Sequence, residues 1–325
     1  MTTPSNRDQT ASTTARRHHR WLAPALLAFA LGACGDDDSS DNSAEPSPDA
    51  EVVEESRTIV DIAVGNDDFS ILVAALQKAE LVEALQGEGP FTVFAPTNEA
   101  FTNAGITDLD AFSKEELADI LLYHVVSGDI GSDELPAKAD TLLANEWGNG
   151  VSVLFKVESG ANINDSNIVT VDIEADNGVI HVIDAPILPP NIVDMAGIAG
   201  FTSLVGAVGA AADIPDGPSI AAALSGDGPL TVFAPTNDAF AAITVPEDPN
   251  VVRDVLLLHV VGAETPVMST GLPSEASPLL ANETLTINGS GPTISSDGTA
   301  NANIAITDIN VTNGVIHVID KVLLP

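Results

Sequence analysis

Four histidines in the body of the chain are the residues best suited to chemistry. They form two pairs, His124 with His181 and His259 with His317. A neutral imidazole can bind a metal ion or carry a proton near neutral pH. Either use needs further polar ligands, and no carboxylate or cysteine stands at a ligand spacing beside these histidines. The pattern favours four structural histidines that hydrogen-bond the backbone, and no metal site. Metal or proton chemistry is the alternative.

The sequence lacks the usual signatures of an enzyme. It has no Gly-x-Ser-x-Gly elbow, no phosphate-binding glycine loop and no His-Glu-x-x-His helix. Its one cysteine, Cys34, precedes the repeated body of the chain. We therefore expect no catalytic residue, no cofactor and no enzyme activity. Because carboxylates abound, a hydrolase that uses two paired carboxylates stays open as an alternative.

The charge balance limits the partners that the chain can bind. The sequence carries 47 acidic residues against 11 basic ones, a formal net charge of −36. Nucleic-acid binding depends on lysine and arginine neutralising phosphates, so no nucleic-acid partner is expected. The same surface disfavours adsorption to anionic lipid headgroups. Aromatic residues make up only 4% of the chain, which argues against a broad sugar-stacking surface.

The N-terminus is predicted to be a targeting segment. Arg16, Arg17 and Arg20 precede an apolar run over 22–33, which is too short to span a bilayer as a helix. The run ends in Leu-Gly-Ala-Cys, which resembles a bacterial lipobox. That resemblance implies a signal peptide over 1–33 and lipid attachment at Cys34. It places the protein on the bacterial cell envelope, on its periplasmic face or at the cell surface, with the lipid as its only membrane contact.

A polar segment and a twofold repeat follow the cysteine. Residues 34–57 are rich in Asp, Ser, Pro and Glu and are predicted to form a disordered acidic tether. Beyond them, the block over 91–101 recurs over 230–240, with Thr-Val-Phe-Ala-Pro-Thr-Asn in both copies. The nearly constant offset predicts one domain over 58–190 and a second over 191–325. The two adjoin at Pro189-Pro190, so we expect a restricted angle between them.

Each repeat begins with helices. Ser113 and Glu116 form a capping box before the second helix of the first repeat. In the second repeat Asp248 caps the equivalent helix, and Pro249 takes its first position. His124 falls at i+7 on the apolar stripe of its helix, and His259 takes the same place in the second copy, so both are predicted to face the core.

Each repeat ends with a hairpin. The sequence Asn-Gly-Val-Ile-His-Val-Ile-Asp occupies 177–184 and recurs over 313–320. Its Asn-Gly pair is predicted to form the tight turn. Asp172 and Asp308 lie in the strand before the turn, where an aspartate can bond the backbone or face a partner. With helices early and strands late, the pattern favours an α+β fold.

These blocks, in this order and twice over, resemble the fasciclin family. The resemblance covers residues 58–325. It implies that each domain is a β-wedge or sandwich flanked by helices. It also implies adhesion or binding at the cell surface, without catalysis.

In animal members of that family, a Tyr-His pair and an Asp-Ile pair are linked to integrin binding. The resemblance therefore suggests six partner-binding candidates, although Leu258 replaces the tyrosine in the second copy: Tyr123, His124, Asp172, Ile173, Asp308 and Ile309. The partner is expected to be a cell-surface or matrix protein or a polysaccharide. Two alternatives to adhesion are an architectural envelope protein and a module that binds a small ligand or glycan.

Overall fold

The computed structural model describes residues 57–156, 160–211, 220–288, 291–297 and 299–325. The predicted signal peptide, Cys34 and all but the last residue of the predicted tether lie outside these ranges. Among the residues within them, no helix is both long and apolar enough to cross a membrane.

The first repeat folds into domain 1, in which helices and a sheet share two apolar cores. The helices are α1 (Ile59–Val64), α2 (Ser70–Lys78), α3 (Val82–Leu85), α4 (Asn98–Asn103) and α5 (Lys114–Tyr123). The strands are β1 (Phe91–Pro96), β2 (Val125–Ser127), β3 (Lys138–Ala144), β4 (Gly150–Lys156), β5 (Asn162–Ile163), β6 (Ser166–Ala175) and β7 (Gly178–Ile183).

The second repeat folds into domain 2 with the same order of elements. The helices are α6 (Ile192–Ile198), α7 (Thr202–Ala210), α8 (Ile220–Leu224), α9 (Asn237–Ala241) and α10 (Pro249–Leu258). The strands are β8 (Leu230–Pro235), β9 (Val260–Gly262), β10 (Glu275–Ala276), β11 (Leu285–Asn288), β12 (Thr293–Ser296), β13 (Thr299–Val311) and β14 (Gly314–Ile319).

The two sheets share a topology and differ in closure. In domain 1 the seven strands close into a barrel, with β1 parallel to β7 and the other neighbours antiparallel. In domain 2, β8 is parallel to β14 in the same way, but β9 and β10 are not paired as strands. A single bridge between Val261 and Pro278 stands at the position where Val126 pairs with Thr141 in domain 1. The predicted α+β class, with helices beside a wedge-like sheet, is confirmed.

The apolar residues of each domain divide into two cores. In domain 1 one core lies between the helices and the sheet and includes Leu72, Phe101 and Leu121. The other core fills the barrel, around Phe94 and Tyr123. Domain 2 repeats this division. The hairpin strands β7 and β14 supply residues to both cores, because successive side chains of a strand point to opposite faces.

The predicted helix starts are confirmed. The Ser113 hydroxyl accepts a hydrogen bond from the backbone N–H of Glu116, and the Glu116 carboxylate accepts one from the backbone N–H of Ser113. Asp248 caps α10, with Pro249 in its first turn. These bonds satisfy N–H groups that have no partner within the helix.

The predicted position of the hairpin turn is wrong by one residue. Ala175 pairs with Gly178, so Asp176 and Asn177 form the turn, and Gly178 begins β7. Gly178 also pairs with Phe91 on the other side, and a Cβ on it would lie 1.9 Å from the Phe91 carbonyl oxygen. The glycine is needed for this close approach of two strands, and its φ of 148° suits that residue.

Candidate functional site

The two histidines at the helix ends are buried and fully hydrogen-bonded. His124 Nδ1 donates to the carbonyl oxygen of Ile120 at 2.7 Å, and Nε2 accepts from the backbone N–H of Ile187 at 3.1 Å. His259 makes the same two contacts, with Val255 and Leu323. Burial lowers the pKa of both rings to about 4. With both nitrogens engaged, neither ring is available to a metal or a substrate.

The two hairpin histidines are held in a similar way. His181 Nε2 donates to the Ile130 carbonyl oxygen at 2.9 Å, and Nδ1 accepts from the backbone N–H of Asp172 at 3.3 Å. Its ring stacks on Phe94 with centroids 5.5 Å apart. His317 repeats these contacts with Val267, Asp308 and Phe233. Burial lowers the pKa of His317.

Asp172 and Asp308 each hold a serine of a neighbouring loop. Both aspartates have φ of 57°, at an irregularity in their strand. The Asp172 carboxylate accepts from the backbone N–H of Ser132 at 2.8 Å and from its hydroxyl at 2.5 Å. Asp308 binds Ser269 through the same two groups. The hydroxyl bond from Ser132, then the backbone bond, lower the pKa of Asp172.

Serine, aspartate and histidine thus lie together in each domain without forming a catalytic triad. In a triad the histidine accepts the serine proton and the carboxylate orients the histidine. Here the Ser132 hydroxyl donates to Asp172, and both nitrogens of His181 are bonded to the backbone. The histidine therefore cannot accept the serine proton as it does in a triad, and the serine–aspartate bonds hold the loop against the sheet.

Three of the six partner-binding candidates do not reach the surface. Tyr123 is fully buried, and its hydroxyl donates to the Ser152 carbonyl oxygen at 2.9 Å and accepts from Asn164 Nδ2 at 2.8 Å. Burial raises the pKa of Tyr123. His124 and Ile309 are 2% exposed. The expectation that these three contact a partner is corrected, because their side chains fill the cores.

The other three candidates lie at or near the surface. Asp172 is exposed and Ile173 is half-buried, both on β6. Beside them Val169 and Val171 are 57% and 39% exposed, so two apolar side chains of this strand face solvent. Asp308 is half-buried in domain 2, where domain 1 lies against it. The surface candidates therefore concentrate on β6 of domain 1.

The contact between the domains was not predicted from the sequence. Lys138 Nζ donates to the Asp308 carbonyl oxygen at 2.5 Å. The backbone N–H of Asn310 donates to Ser152 Oγ at 3.0 Å, and Asn145 Nδ2 donates to the Val311 carbonyl oxygen at 3.2 Å. Leu154 also packs on the core of domain 2. These bonds satisfy a strand end that would otherwise lack partners. The sequence does differ between the repeats at this contact, with Lys138 in the first and Glu275 in the second, and this difference could have indicated it.

A cleft of about 600 Å³ runs beside the junction of the domains. It is lined by Pro186, Leu188 and Pro190 from the connection, by Asn164 from domain 1 and by Asp194 from domain 2. Over the part of the chain that the structure describes, no three His, Cys, Asp or Glu side chains are arranged to hold a metal ion.

Two copies of a helix-flanked, seven-stranded sheet, with their histidines bonded to the backbone, define a tandem pair of α+β scaffold domains. The chain belongs to the fasciclin domain family, whose sequence pattern matches residues 67–189 and 203–325.

Relatives of this chain occur in bacteria and animals. It is 42% identical to protein sll1483 of Synechocystis over 175 residues, which are 51% of this chain and 93% of that protein. It is 32% identical over 256 residues to the transforming growth factor-beta-induced protein ig-h3 of Sus scrofa. That match covers 74% of this chain but only 35% of the length of ig-h3.

Among solved structures, the chain is similar to a FAS1 domain pair from the insect cell adhesion molecule fasciclin I. The TM-score is 0.42 at 17% identity, over 80% of this chain and 98% of the other.

Proposed function

We propose that the protein is a non-catalytic lipoprotein of the bacterial envelope that binds a surface or matrix partner through β6 of domain 1. One observation carries the proposal. The histidines and aspartates that could do chemistry are bonded within the fold, whereas β6 leaves Val169 and Val171 exposed to solvent. Membership of the fasciclin family favours the same role.

The partner surface is tested best at Val171 and Glu174. Replacing Asp172 and Asp308 would release the serine loops that they hold, so loss of binding could reflect local unfolding. A photoreactive phenylalanine analogue at position 171 should instead give a discrete cross-linked product in intact cells. The same analogue at Glu83, an exposed residue of α3, should give none. Glu174→Lys should abolish the product at 171, because it reverses a charge beside the contact. Equal cross-linking at 171 and 83 would remove the site assignment.

Lipid attachment at Cys34 is tested separately. Wild-type protein should incorporate labelled palmitate and partition with membranes. Cys34→Ala should do neither, since the thiol is the atom that takes the lipid. Palmitate incorporation by Cys34→Ala would contradict the proposed anchor.

The cleft at the domain junction favours a second candidate function, the binding of a small ligand or glycan. Its volume of about 600 Å³ suits a ligand of a few sugar rings. Gly197 lies on its wall, and a Cβ there meets no atom within 4 Å. Calorimetry with N-acetylglucosamine oligosaccharides should show heat that Gly197→Trp removes if the cleft binds them. No heat with wild-type protein would exclude this ligand class.

A further inference from the structure

The contact between the two domains joins two different surfaces. Domain 1 contributes one face of the β3–β4 pair, with Lys138, Ser152 and Leu154. It is called here the donor face, after the lysine that donates. Domain 2 contributes the end of β13, Asp308–Val311, called here the acceptor edge after the Asp308 carbonyl oxygen that accepts from this lysine. Because the two surfaces differ, the contact is of the head-to-tail kind. It leaves one surface of each kind unused.

The acceptor edge of domain 1 is the open counterpart of the one in domain 2. Ile173 pairs with Ile180 as Ile309 pairs with Ile316, so Asp172–Ala175 corresponds to Asp308–Val311. In domain 2 the side chains over 309–311 are at most 3% exposed. In domain 1 Glu174 is exposed, and its neighbours on either side are half-buried. Domain 1 lies against this edge in domain 2, where Lys138, Asn145 and Ser152 bond to it.

The donor face of domain 2 is unsuited to a second copy of this chain. Glu275 pairs with Thr286 in domain 2, and Lys138 pairs with Leu154 in domain 1. Glu275 therefore takes the place of Lys138, and Thr286 takes the place of Leu154. The lysine that donates to the Asp308 carbonyl in the domain contact is therefore replaced by a carboxylate, and the leucine that packs on the core by a threonine. Placed on domain 1 of another copy, Glu275 would face the carbonyl oxygen of Asp172. Like charges and unpaired acceptors at a contact oppose binding.

We propose that the open acceptor edge of domain 1 binds a two-stranded surface of a different protein, which presents a lysine to the Asp172 carbonyl and an apolar side chain beside it. The proposal rests on the proposed function and specifies its partner. The partner is proposed to contact this edge in the way that domain 1 contacts domain 2 within this chain. Charge favours a basic partner, since Asp129, Glu174 and Asp176 surround the edge.

The chain itself offers a probe of this surface. Glu275→Lys with Thr286→Leu restores the lysine and the leucine on the donor face of domain 2, and both positions are exposed, so the fold should tolerate them. Sedimentation of the acyl-free full chain in about 0.3 M salt, which screens repulsion between copies, would measure self-association. We expect the double variant to associate head to tail at least tenfold more strongly than wild type.

Two further variants test whether association depends on the acceptor edge and on the position of the new lysine and leucine. Adding Glu174→Lys to the double variant should abolish association, because it places a second lysine against the lysine introduced at position 275. Glu247→Lys with Thr244→Leu makes the same substitutions at exposed positions elsewhere in domain 2 and should leave the chain as wild type.

Failure of the first double variant to associate would overturn the proposal. So would association that Glu174→Lys does not change, or wild-type self-association that Glu174→Lys abolishes, which would make a second copy the occupant. Cross-linking at position 171 tests independently whether any partner meets β6 in the envelope, so failure of the proposed function can be told apart from failure of this inference.

Discussion

The histidines of the repeated motifs connect distant parts of the backbone. His124 joins the end of α5 to Ile187, which lies 63 residues further along the chain. His181 joins β7 to β6 and to the loop at Ile130. Each ring donates through one nitrogen and accepts through the other, which an imidazole can do only in its neutral form. Their recurrence in both repeats thus reflects a need for a neutral, two-sided hydrogen-bonding group inside the fold.

The neutral state of His124 and His259 predicts a loss of stability in mild acid. Burial lowers the pKa of each from 6.5 to about 4, so the unfolded chain binds protons that the folded protein excludes. The stability that the two neutral rings contribute is fully present above pH 6.5. It is lost as the pH falls from 6.5 to about 4. Each shift corresponds to about 3 kcal/mol. Urea unfolding at pH 7.5, 6.0 and 5.0 should show a steadily falling free energy of unfolding.

A non-titrating variant provides the control for this effect. His124→Gln retains a group that can donate and accept, but it does not gain a proton in this range. We expect it to be less stable than wild type at pH 7.5 and to lose less stability on acidification. A variant with the wild-type pH dependence would show that His124 does not cause the loss.

Elements with strong local signals were predictable from the sequence, and those set by distant contacts were not. Ser113 and Asp248 mark helix starts because their side chains bond within three residues of themselves. The hairpin strands were recognisable from their Val and Ile residues. The turn was misplaced because Gly178 is required by Phe91, a residue 87 positions away, and not by the turn. Closure of the domain 1 barrel depends on pairing between β2 and β3, which no local pattern marks.

The candidate site was predictable only in part, for the same reason. The sequence indicated Asp172 and Ile173, which lie on an exposed strand. It could not show that Tyr123 is enclosed or that Ile309 lies in the core of domain 2, since both depend on how separate elements pack. The open edge of β6 became apparent only when the burial of the two repeats was compared.

Asn177 is expected to be the residue that fixes the hairpin to the helices of domain 1. Its side chain donates to the carbonyl oxygens of Leu85 and Gly87 at 2.8 and 3.0 Å and accepts from the N–H of Ile59 at 2.9 Å. Asn177→Ala leaves three backbone groups without this partner. At about 1 kcal/mol or more for each, the free energy of unfolding should fall by at least about 3 kcal/mol in urea titration.

The exposed Asn103, at the end of α4, gives a matched control for that substitution. Asn103→Ala should change the free energy of unfolding by less than about 0.5 kcal/mol. Asn313→Ala should be as harmful as Asn177→Ala, because Asn313 makes the equivalent three bonds with Leu224, Gly226 and Ile192. A small effect of Asn177→Ala would contradict this role.

The described part of the molecule combines a hydrogen-bonded contact between its domains with an acidic surface. Lys138, Ser152 and Asn145 bond to β13 and hold domain 1 against domain 2. Basic residues are scarce in the chain, and one of its lysines, Lys138, bonds across the contact between the domains. The chain carries 47 acidic residues against 11 basic ones, which favours a partner that supplies cations.

The acidity of the molecule predicts that salt stabilises it. The formal net charge is −36, and the residues that the structure describes form five ion pairs, all with exposed or half-exposed groups. Repulsion among the remaining carboxylates therefore opposes the compact state. Raising NaCl from 10 mM to 0.5 M shortens the screening length from about 30 Å to about 4 Å. At pH 7.5 the melting temperature should rise by about 5 °C, a gain of about 1 to 2 kcal/mol. KCl at equal ionic strength should act equally, and sorbitol at equal osmolality should have a smaller effect. A melting temperature that does not rise with salt would show that the acidic surface does not limit stability.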